Sequence, residues 1–300
     1  MNFSLLDSIL RTRDGVLATI IGASGHTYKK TGQQALYAPG GIEPVHGNLG
    51  ALCADQEIIA RADEARASEK PLTVTIDTTG AMDELMGSGT GCGGTLTLLL
   101  EPIGPAHKRT YAQLGAHLKS GPAVFLLHDT ESGDLRVETG TPRPGESLHI
   151  ERIAPLTPLV LFGATPLARR IAALAADMDF VVHLADWRPA FLDLFRSMPG
   201  IEIQTRGFSP PPDACVVLMS HSFQRDLAAL RDCLGAGCRY VGVLSSRSRR
   251  DRMFAALAAE GVSANALSSV HSPVGLDIGA QTDAEIAVAI LAEIIGTLRA

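Results

Sequence analysis

The sequence has little of what marks a zinc enzyme, a disulfide scaffold or a nucleic-acid binder. It has 5 cysteines in 300 residues, Cys53, Cys92, Cys215, Cys233 and Cys238, with no C-x-x-C pair among them. A sparse, odd set in a chain long enough to bury its own core is not a disulfide framework, and a reducing compartment is expected. The 9 histidines form no His-Glu-x-x-His, so no hydrolytic or structural zinc motif is present. Basic charge is also short. Lys+Arg number 26 against 32 Asp+Glu, a net charge of −6, which is the wrong sign for neutralising nucleic-acid phosphates. No apolar run approaches the roughly 18 residues of a membrane-spanning helix. The opening segment carries Asp7 and no long apolar stretch, so it is predicted as a short amphipathic helix, not a secretory signal. What remains is globular, with 46% hydrophobic and 19% charged residues. The expectation is a cytoplasmic protein of two domains with no nucleic acid and no membrane.

One glycine is missing from an otherwise complete pattern. Residues 159–162 form an apolar run that ends at Gly163. Leu167, Ile171, Ala172 and Leu174 follow at helical spacing, and a second apolar run, 180–184, leads to Asp186. Strand, glycine turn, helix, strand and acid are the opening of a parallel βαβ unit of the Rossmann type. Where the fingerprint is Gly-x-Gly-x-x-Gly or Ala, the chain reads Gly163-Ala164-Thr165-Pro166-Leu167-Ala168. Gly163 and the small final residue stand, and Asp186 is spaced to hold a ribose hydroxyl. The middle glycine, which lets the backbone approach a pyrophosphate, is replaced by Thr165. Two readings stay open here: a dinucleotide site, and a Rossmann scaffold kept for packing or docking.

The front half is built around glycine turns. A strand is predicted over 15–21, then a polar loop with Gly22, Gly25 and Gly32 that carries Lys29 and Lys30, then a returning strand over 34–38. A loop that pairs glycines with lysines suits an anion such as phosphate, or is an exposed hairpin loop. A second turn, 47–53, opens a helix and puts Cys53 near its N-terminus, where the helix dipole favours a thiolate; the alternative is a buried structural thiol. A third crowds Gly89, Gly91, Gly93 and Gly94 around Cys92, just before a predicted strand over 95–100. Glycines expose backbone N–H groups and leave room beside the sulfur, although a tight strand entry would use them too. Thiols near a cationic loop suit a soft metal or a sulfur-bearing ligand that carries phosphate. A helix over 111–118, a strand over 123–128 and a hairpin near Ser132-Gly133 follow, and residues 139–147 are read as turns. The domain boundary is placed near residue 153.

In the rear half, a buried strand over 213–220 ends at Ser220-His221, and another ends near Ser245-Ser246-Arg247. Parallel α/β sheets bind ligands beyond the carboxyl ends of their strands, which makes His221, Asp186 and their neighbours candidate site residues. Arg249 and Arg250 read as a solvated helix start. Near the C-terminus, a loop with Gly275, Asp277 and Gly279 precedes a helix whose Thr282 and Glu285 are spaced as a capping box. Such a loop is an anion site in principle, and Asp277 favours a hydroxyl, an amine or metal-bound water over bare phosphate.

These segments resemble the XdhC/CoxI family, the accessory proteins of xanthine dehydrogenase and related molybdenum hydroxylases. Gly47-x-x-Gly50-x-x-Cys53 resembles the family's glycine turn before a cysteine. Gly91-Cys92-Gly93-Gly94, followed by the apolar run to Glu101-Pro102, resembles its second cysteine segment. Residues 271–293 resemble its terminal signature, Pro-x-Gly-Leu-Asp-Ile-Gly-Ala followed by Glu-Ile-Ala. Departures are Ala51 and Leu52 where the family has glycines, Thr165, Ser222 and Ser245.

The resemblance implies an α/β protein with an N-terminal α+β domain of XdhC/CoxI type over 1–153 and a Rossmann-like parallel-sheet domain over 154–300. It implies an accessory factor in place of an enzyme: a chaperone that binds molybdenum cofactor, as molybdopterin or its cytosine dinucleotide, protects it, presents it for sulfuration by a cysteine desulfurase and assists insertion into the apo-hydroxylase. A homodimer is implied as well. Cys53, Gly91, Cys92 and Gly93 become candidate cofactor contacts, with Lys29 and Lys30 receiving the pterin phosphate. The alternative is an NAD(P)-dependent oxidoreductase that uses the Rossmann half, with His221 as acid and base.

Overall fold

The structure, a computed structural model, describes residues 1–27, 29–49, 53–77, 94–178, 180–198, 200–204 and 208–299; the side chains of 53–55 and 77 also lie outside that description. The chain divides into two compact units, Met1–Pro155 and Leu156–Ala300. No helix among the described residues is long and apolar enough to cross a membrane.

The first unit contains α1 (Phe3–Arg11), β1 (Val16–Gly25), β2 (Gln34–Tyr37), β3 (His46–Gly47), α2 (Cys53–Ser68), β4 (Leu72–Asp77), β5 (Gly94–Pro102), α3 (Pro105–Lys119), β6 (Val124–Asp129), β7 (Leu135–Glu138) and β8 (Leu148–Ile153). α1 is the amphipathic helix expected from the sequence. Asn2 caps it by accepting from the Leu5 amide at 2.9 Å, and Leu5, Leu6 and Ile9 are buried. An antiparallel sheet runs β3-β2-β1-β5-β4, and a second runs β7-β6-β8. Val16, Ala18 and Ile20 alternate along β1 and pack with Ile58, Ala62 and Ala65, which recur along α2 at helical spacing. The two sheets are joined through a buried polar pair. His128 of β6 sets its Nδ1 2.9 and 2.8 Å from the two carboxylate oxygens of Glu101 on β5, and both side chains are buried. Glu151 of β8 stands 3.8 Å from His128 Nε2 and accepts from Gln34 at 3.2 Å. β8 falls in a stretch to which the sequence pattern assigns no element. Its His149 and Glu151 are spaced with Ile153 on one face, so polar residues serving the buried cluster break the apolar alternation.

The second unit contains β9 (Thr157–Phe162), α4 (Pro166–Ala175), β10 (Phe180–Ala185), α5 (Pro189–Asp193), β11 (Ile201–Gln204), β12 (Cys215–Leu218), α6 (Phe223–Ala236), β13 (Tyr240–Val243), α7 (Arg247–Ala259), α8 (Ala264–Ser268) and α9 (Asp283–Arg299). Its five strands are all parallel, in the order β11-β10-β9-β12-β13. The chain leaves β9 toward one edge and returns on the other side of it, the Rossmann arrangement, with the switch point between β9 and β12. One face is covered by α4 and α9, the other by α6 and α7. Burial on both faces is why β9 and β12 read as continuous apolar runs. On α4 the structure corrects one position: Leu174 is exposed, and Ala175 completes the buried stripe with Leu167 and Ile171.

His128 carries the main pH dependence of the first unit. Burial lowers its pKa, but the Glu101 charge and hydrogen bonds, helped by Glu151, outweigh that and raise it from 6.5 to about 9. The charged imidazole is thus favoured by folding. Its contribution, about 3 kcal/mol at 1.36 kcal/mol per unit, is fully present below pH 6.5 and lost as pH rises through about 9. In denaturant unfolding, His128→Gln should cost several-fold more stability at pH 6 than at about pH 10. An equal cost at both would contradict a charged pair.

Candidate functional site

The topology brings the predicted rear-half residues to one edge of the parallel sheet, beyond its carboxyl ends. There the glycine turn is fully committed to the protein itself. Gly163 adopts φ +117°, and a Cβ on it would lie 2.7 Å from the Ser220 Cα and 2.8 Å from the Met219 carbonyl oxygen. The turn therefore needs glycine to lie against the end of β12. Its amides are consumed in sequence: Gly163 N–H donates to the Ala185 carbonyl at 2.9 Å, Ala164 N–H to Asp186 Oδ2 at 2.7 Å, and Thr165 N–H to the Gly163 carbonyl at 3.0 Å. The Thr165 hydroxyl caps α4 by accepting from the Ala168 amide at 3.1 Å, and Pro166 has no N–H to offer. The amides of 163–165, which a pyrophosphate would approach, are thus already satisfied.

Asp186 is engaged in the same way. Its side chain is fully buried and accepts, besides Ala164, the Arg188 backbone amide at 2.8 Å and the Arg188 guanidinium at 2.9 and 2.7 Å. Burial pushes its carboxyl up, but the bonds from Arg188 and Ala164 outweigh it and hold the pKa below the ordinary value. Asp186 thus joins two turns, with both of its oxygens bonded within the protein. Beyond β12, the Ser220 hydroxyl bonds Asp226, whose other oxygen takes Arg249 at 2.7 Å. Burial pushes the Asp226 carboxyl up despite these bonds. Arg249 is therefore not the solvated residue that its helix-start position suggests. It serves a buried carboxylate, a partnership 23 residues apart that no local spacing reveals. His221 is exposed with φ 61°, a left-handed backbone held by the turn around Ser220, and its ring makes no hydrogen bond among the described residues.

In the first unit, Gly91, Cys92 and Gly93 lie outside the described residues, and so does the Cys53 side chain. Their described flanks converge. Gly94 pairs with Gly25, and a Cβ on it would lie 2.5 Å from both the Ser24 carbonyl and the Thr27 side chain. Ser24 and Thr95 bond through their hydroxyls at 2.6 Å. The turn so gripped runs on to Lys29, partly buried, and Lys30, exposed, whose ammonium bonds the Thr27 carbonyl at 3.2 Å. At the far end of the sheet, Arg66 of the last turn of α2 reaches Asp14, just before β1, at 3.7 Å. α2 therefore runs antiparallel to β1, and its Cys53 end points toward the Gly25–Gly94 end. That end gathers the lysine loop, the start of α2 and the entry to β5. Its lysines and backbone turn suit the phosphate of a larger ligand.

A profile of the XdhC Rossmann domain matches residues 159–294, and one of the XdhC and CoxI family matches residues 9–77. A Bacillus subtilis (strain 168) protein, described as a probable subunit of xanthine dehydrogenase, is 30% identical over 329 aligned positions, covering 98% of this chain and 96% of that protein. The chain belongs to the XdhC and CoxI family. An uncharacterized protein, YqeB, of Escherichia coli (strain K12) is 30% identical over 147 positions, 46% of this chain and 26% of its own length. A crystal structure described as a xanthine dehydrogenase from Bacillus halodurans superposes with a TM-score of 0.79 at 28% identity, over 100% of this chain and 96% of that one.

The signature that this XdhC/CoxI chain carries over 271–293 has a packing role here. Val243 N–H donates to the His271 carbonyl and Val274 N–H to the Val243 carbonyl, at 2.9 and 3.2 Å, which lays the segment along the β13 edge. Gly275, at φ +99°, sits against α9, where a Cβ would lie 3.3 Å from the Ile290 nitrogen, and its N–H goes to the Glu293 carboxylate at 3.0 Å. Glu293 also bonds the Tyr240 hydroxyl and stands 3.4 Å from His271. The N-terminus of α9, expected as an anion seat, is filled by its own Glu285, which accepts from the Gln281 and Thr282 amides at 2.7 and 2.9 Å. Gly275 is thus a packing glycine, and Asp277 lies exposed in the loop beyond it.

Gly163→Ala should cost the second unit roughly 2–5 kcal/mol, from a strained φ together with overpacking. Thr165→Gly should cost only about a few tenths of a kcal/mol. Denaturant unfolding followed by the single tryptophan, Trp187, reads both. Comparable small costs would mean that the turn does not depend on the missing Cβ.

Proposed function

We propose that this protein is an accessory factor of a xanthine dehydrogenase-type molybdenum hydroxylase that binds molybdenum cofactor, shields it, presents it to a cysteine desulfurase and passes it to the apo-enzyme. The observation that carries this is the end-to-end match to a relative described as part of a xanthine dehydrogenase, on a fold whose Rossmann turn has the amides of 163–165 bonded within the protein. Convergence of the lysine loop, the Cys53 end of α2 and the entry to β5 at Gly94, two residues after Cys92 in the sequence, supports it. In this reading Lys29 and Lys30 hold the pterin phosphate, and Cys92, flanked by glycines, approaches the sulfur-rich end with Cys53. The cofactor, when bound, supplies the molybdenum centre of the client; the chain itself binds, orients and excludes water. Hand-over requires moderate affinity, since each additional 1.4 kcal/mol of binding slows release by about tenfold at a fixed on-rate. The working form in this reading is a cytoplasmic homodimer.

The NAD(P)-dependent oxidoreductase reading keeps the sheet order and the exposed His221 in its favour. The consumed amides of the Gly163 turn and the buried Asp186 stand against it.

The purified protein mixed anaerobically with molybdenum cofactor and passed through a desalting column should retain both molybdenum and pterin fluorescence. Cys92→Ala should weaken retention by about tenfold, and Lys29→Ala/Lys30→Ala by several-fold in a salt-dependent way. Retention at the wild-type level by Cys53→Ala/Cys92→Ala would remove the thiols from the cofactor site. No retention by the wild type would remove the function.

A further inference from the structure

The second unit has a cavity of about 450 Å³ at the carboxyl end of β10. Neither the cofactor reading nor the packing of the fold uses it. Its walls come from the ends of β9 and β10, from Phe208, from α5 with the nearby Arg196, which pairs with Asp193 at 2.7 Å, and from α6. Phe162, from the end of β9, packs on Phe208 with ring centroids 4.7 Å apart and lies 6.3 Å from Trp187. Trp187 is 37% exposed, and the Asp186–Arg188 pair fixes its neighbours. The last wall is one face of α6, where Arg225, Ala228, Ala229 and Asp232 recur at i, i+3, i+4 and i+7. Two alanines in the middle of that face leave the space. An arginine stands at one end and a carboxylate at the other, about 10 Å apart along the helix.

The chemistry of those walls selects an occupant. Phe162, Phe208 and Trp187 offer aromatic surface suited to a flat ring system, with the Arg188 guanidinium already 4.6 Å from the Trp187 ring centroid. Arg225, its guanidinium carbon 5.3 Å from the Trp187 ring, forms no ion pair among the described residues and is available to an anion. Asp232 accepts hydrogen bonds, as from an amino group on a ring edge. The adjoining pyrophosphate seat is closed by Thr165, by the committed amides of the Gly163 turn and by the contact with β12. We infer that this cavity binds a single nucleoside monophosphate with an amino-bearing base, its base between the Phe208 and Trp187 walls and toward Asp232, and its phosphate on Arg225. Adenine and cytosine nucleotides share this chemistry. A dinucleotide gains nothing from its second half. The cavity is made by the second unit alone and the proposed cofactor seat by the first, so either can fail without the other.

Trp187 is the only tryptophan in the chain, so its emission reports on this cavity alone. The full-length protein is titrated at low salt with AMP, CMP, UMP, adenosine and NADH, with calorimetry run alongside so that a silent tryptophan does not hide binding. AMP or CMP, or both, should give a saturable change, and their ratio tells which nucleotide the site takes. UMP, which lacks the ring amine, and adenosine, which lacks the phosphate, should each bind about tenfold more weakly than their partners. NADH should bind no more tightly than AMP. Arg225→Gln, at an exposed position, should weaken AMP or CMP about tenfold and leave adenosine unchanged. Asp232→Ala should abolish the preference for CMP over UMP. The inference is overturned if neither AMP nor CMP binds by either method at about ten millimolar. It is also overturned if NADH binds at least tenfold more tightly than AMP, or if Arg225→Gln binds AMP and CMP as the wild type does.

Discussion

The working edge of the Rossmann unit depends on one close approach, that of Gly163 to the backbone at Met219 and Ser220. A side chain at 163 would collide with main chain, so the turn has one conformation, and in it the amides of 163–165 point into the protein. Ala164 N–H then needs an acceptor, and Asp186 provides it. A buried carboxylate in turn needs a cation, and Arg188 folds back two residues to supply it. The Asp186–Arg188 clasp leaves Trp187 at the surface beside the aromatic cavity. Thr165 in place of the middle fingerprint glycine fits this sequence of needs, because its hydroxyl caps the start of α4, as glycine could not.

The first unit meets a different requirement. Its glycines bring strands and loops together at one end of an antiparallel sheet, as Gly94 shows where it lies against Ser24 and Thr27. That end is made of chain connections, and connections are where a scaffold carries binding residues. The frame of the unit includes the β1–β5 pairing and the Glu101–His128 pair that joins the two sheets. The proposed carrier role would place its contacts on these loops.

The sequence disclosed what repeats locally. The βαβ unit, the strand leading toward Ser220 (which ends two residues earlier, at Leu218), the capping box at Thr282 and Glu285 and the amphipathic α1 all follow from apolar spacing and end signals. Family membership was legible too, because it rests on contiguous residues, 271–293 above all. What stayed hidden was who pairs with whom. Asp186 has the spacing of a ribose acid, but whether it faces a ligand depends on Arg188 and on the orientation of the Ala164 amide. Glu293 sits at helical spacing on α9 and gives no sign that it gathers Tyr240, His271 and Gly275 from elsewhere in the chain. Glu101 and His128 are 27 residues apart on different sheets, and nothing near either one announces a buried pair. The face of α6 from Arg225 to Asp232 was readable as a pattern, but its small residues look like ordinary helix filler until the cavity beside them is seen.

The central claim is that molybdenum cofactor is held by the loop end of the first unit, and that the Gly163 edge of the second, its amides already committed, takes no part. Hydrogen exchange of the full-length protein, measured by mass spectrometry with and without bound cofactor, tests this directly. Slower exchange is expected in peptides spanning residues 22–33 and 88–96, with those spanning 163–170 and 185–189 unchanged. Protection confined to the second pair, with the first pair exchanging as in the free protein, would contradict it.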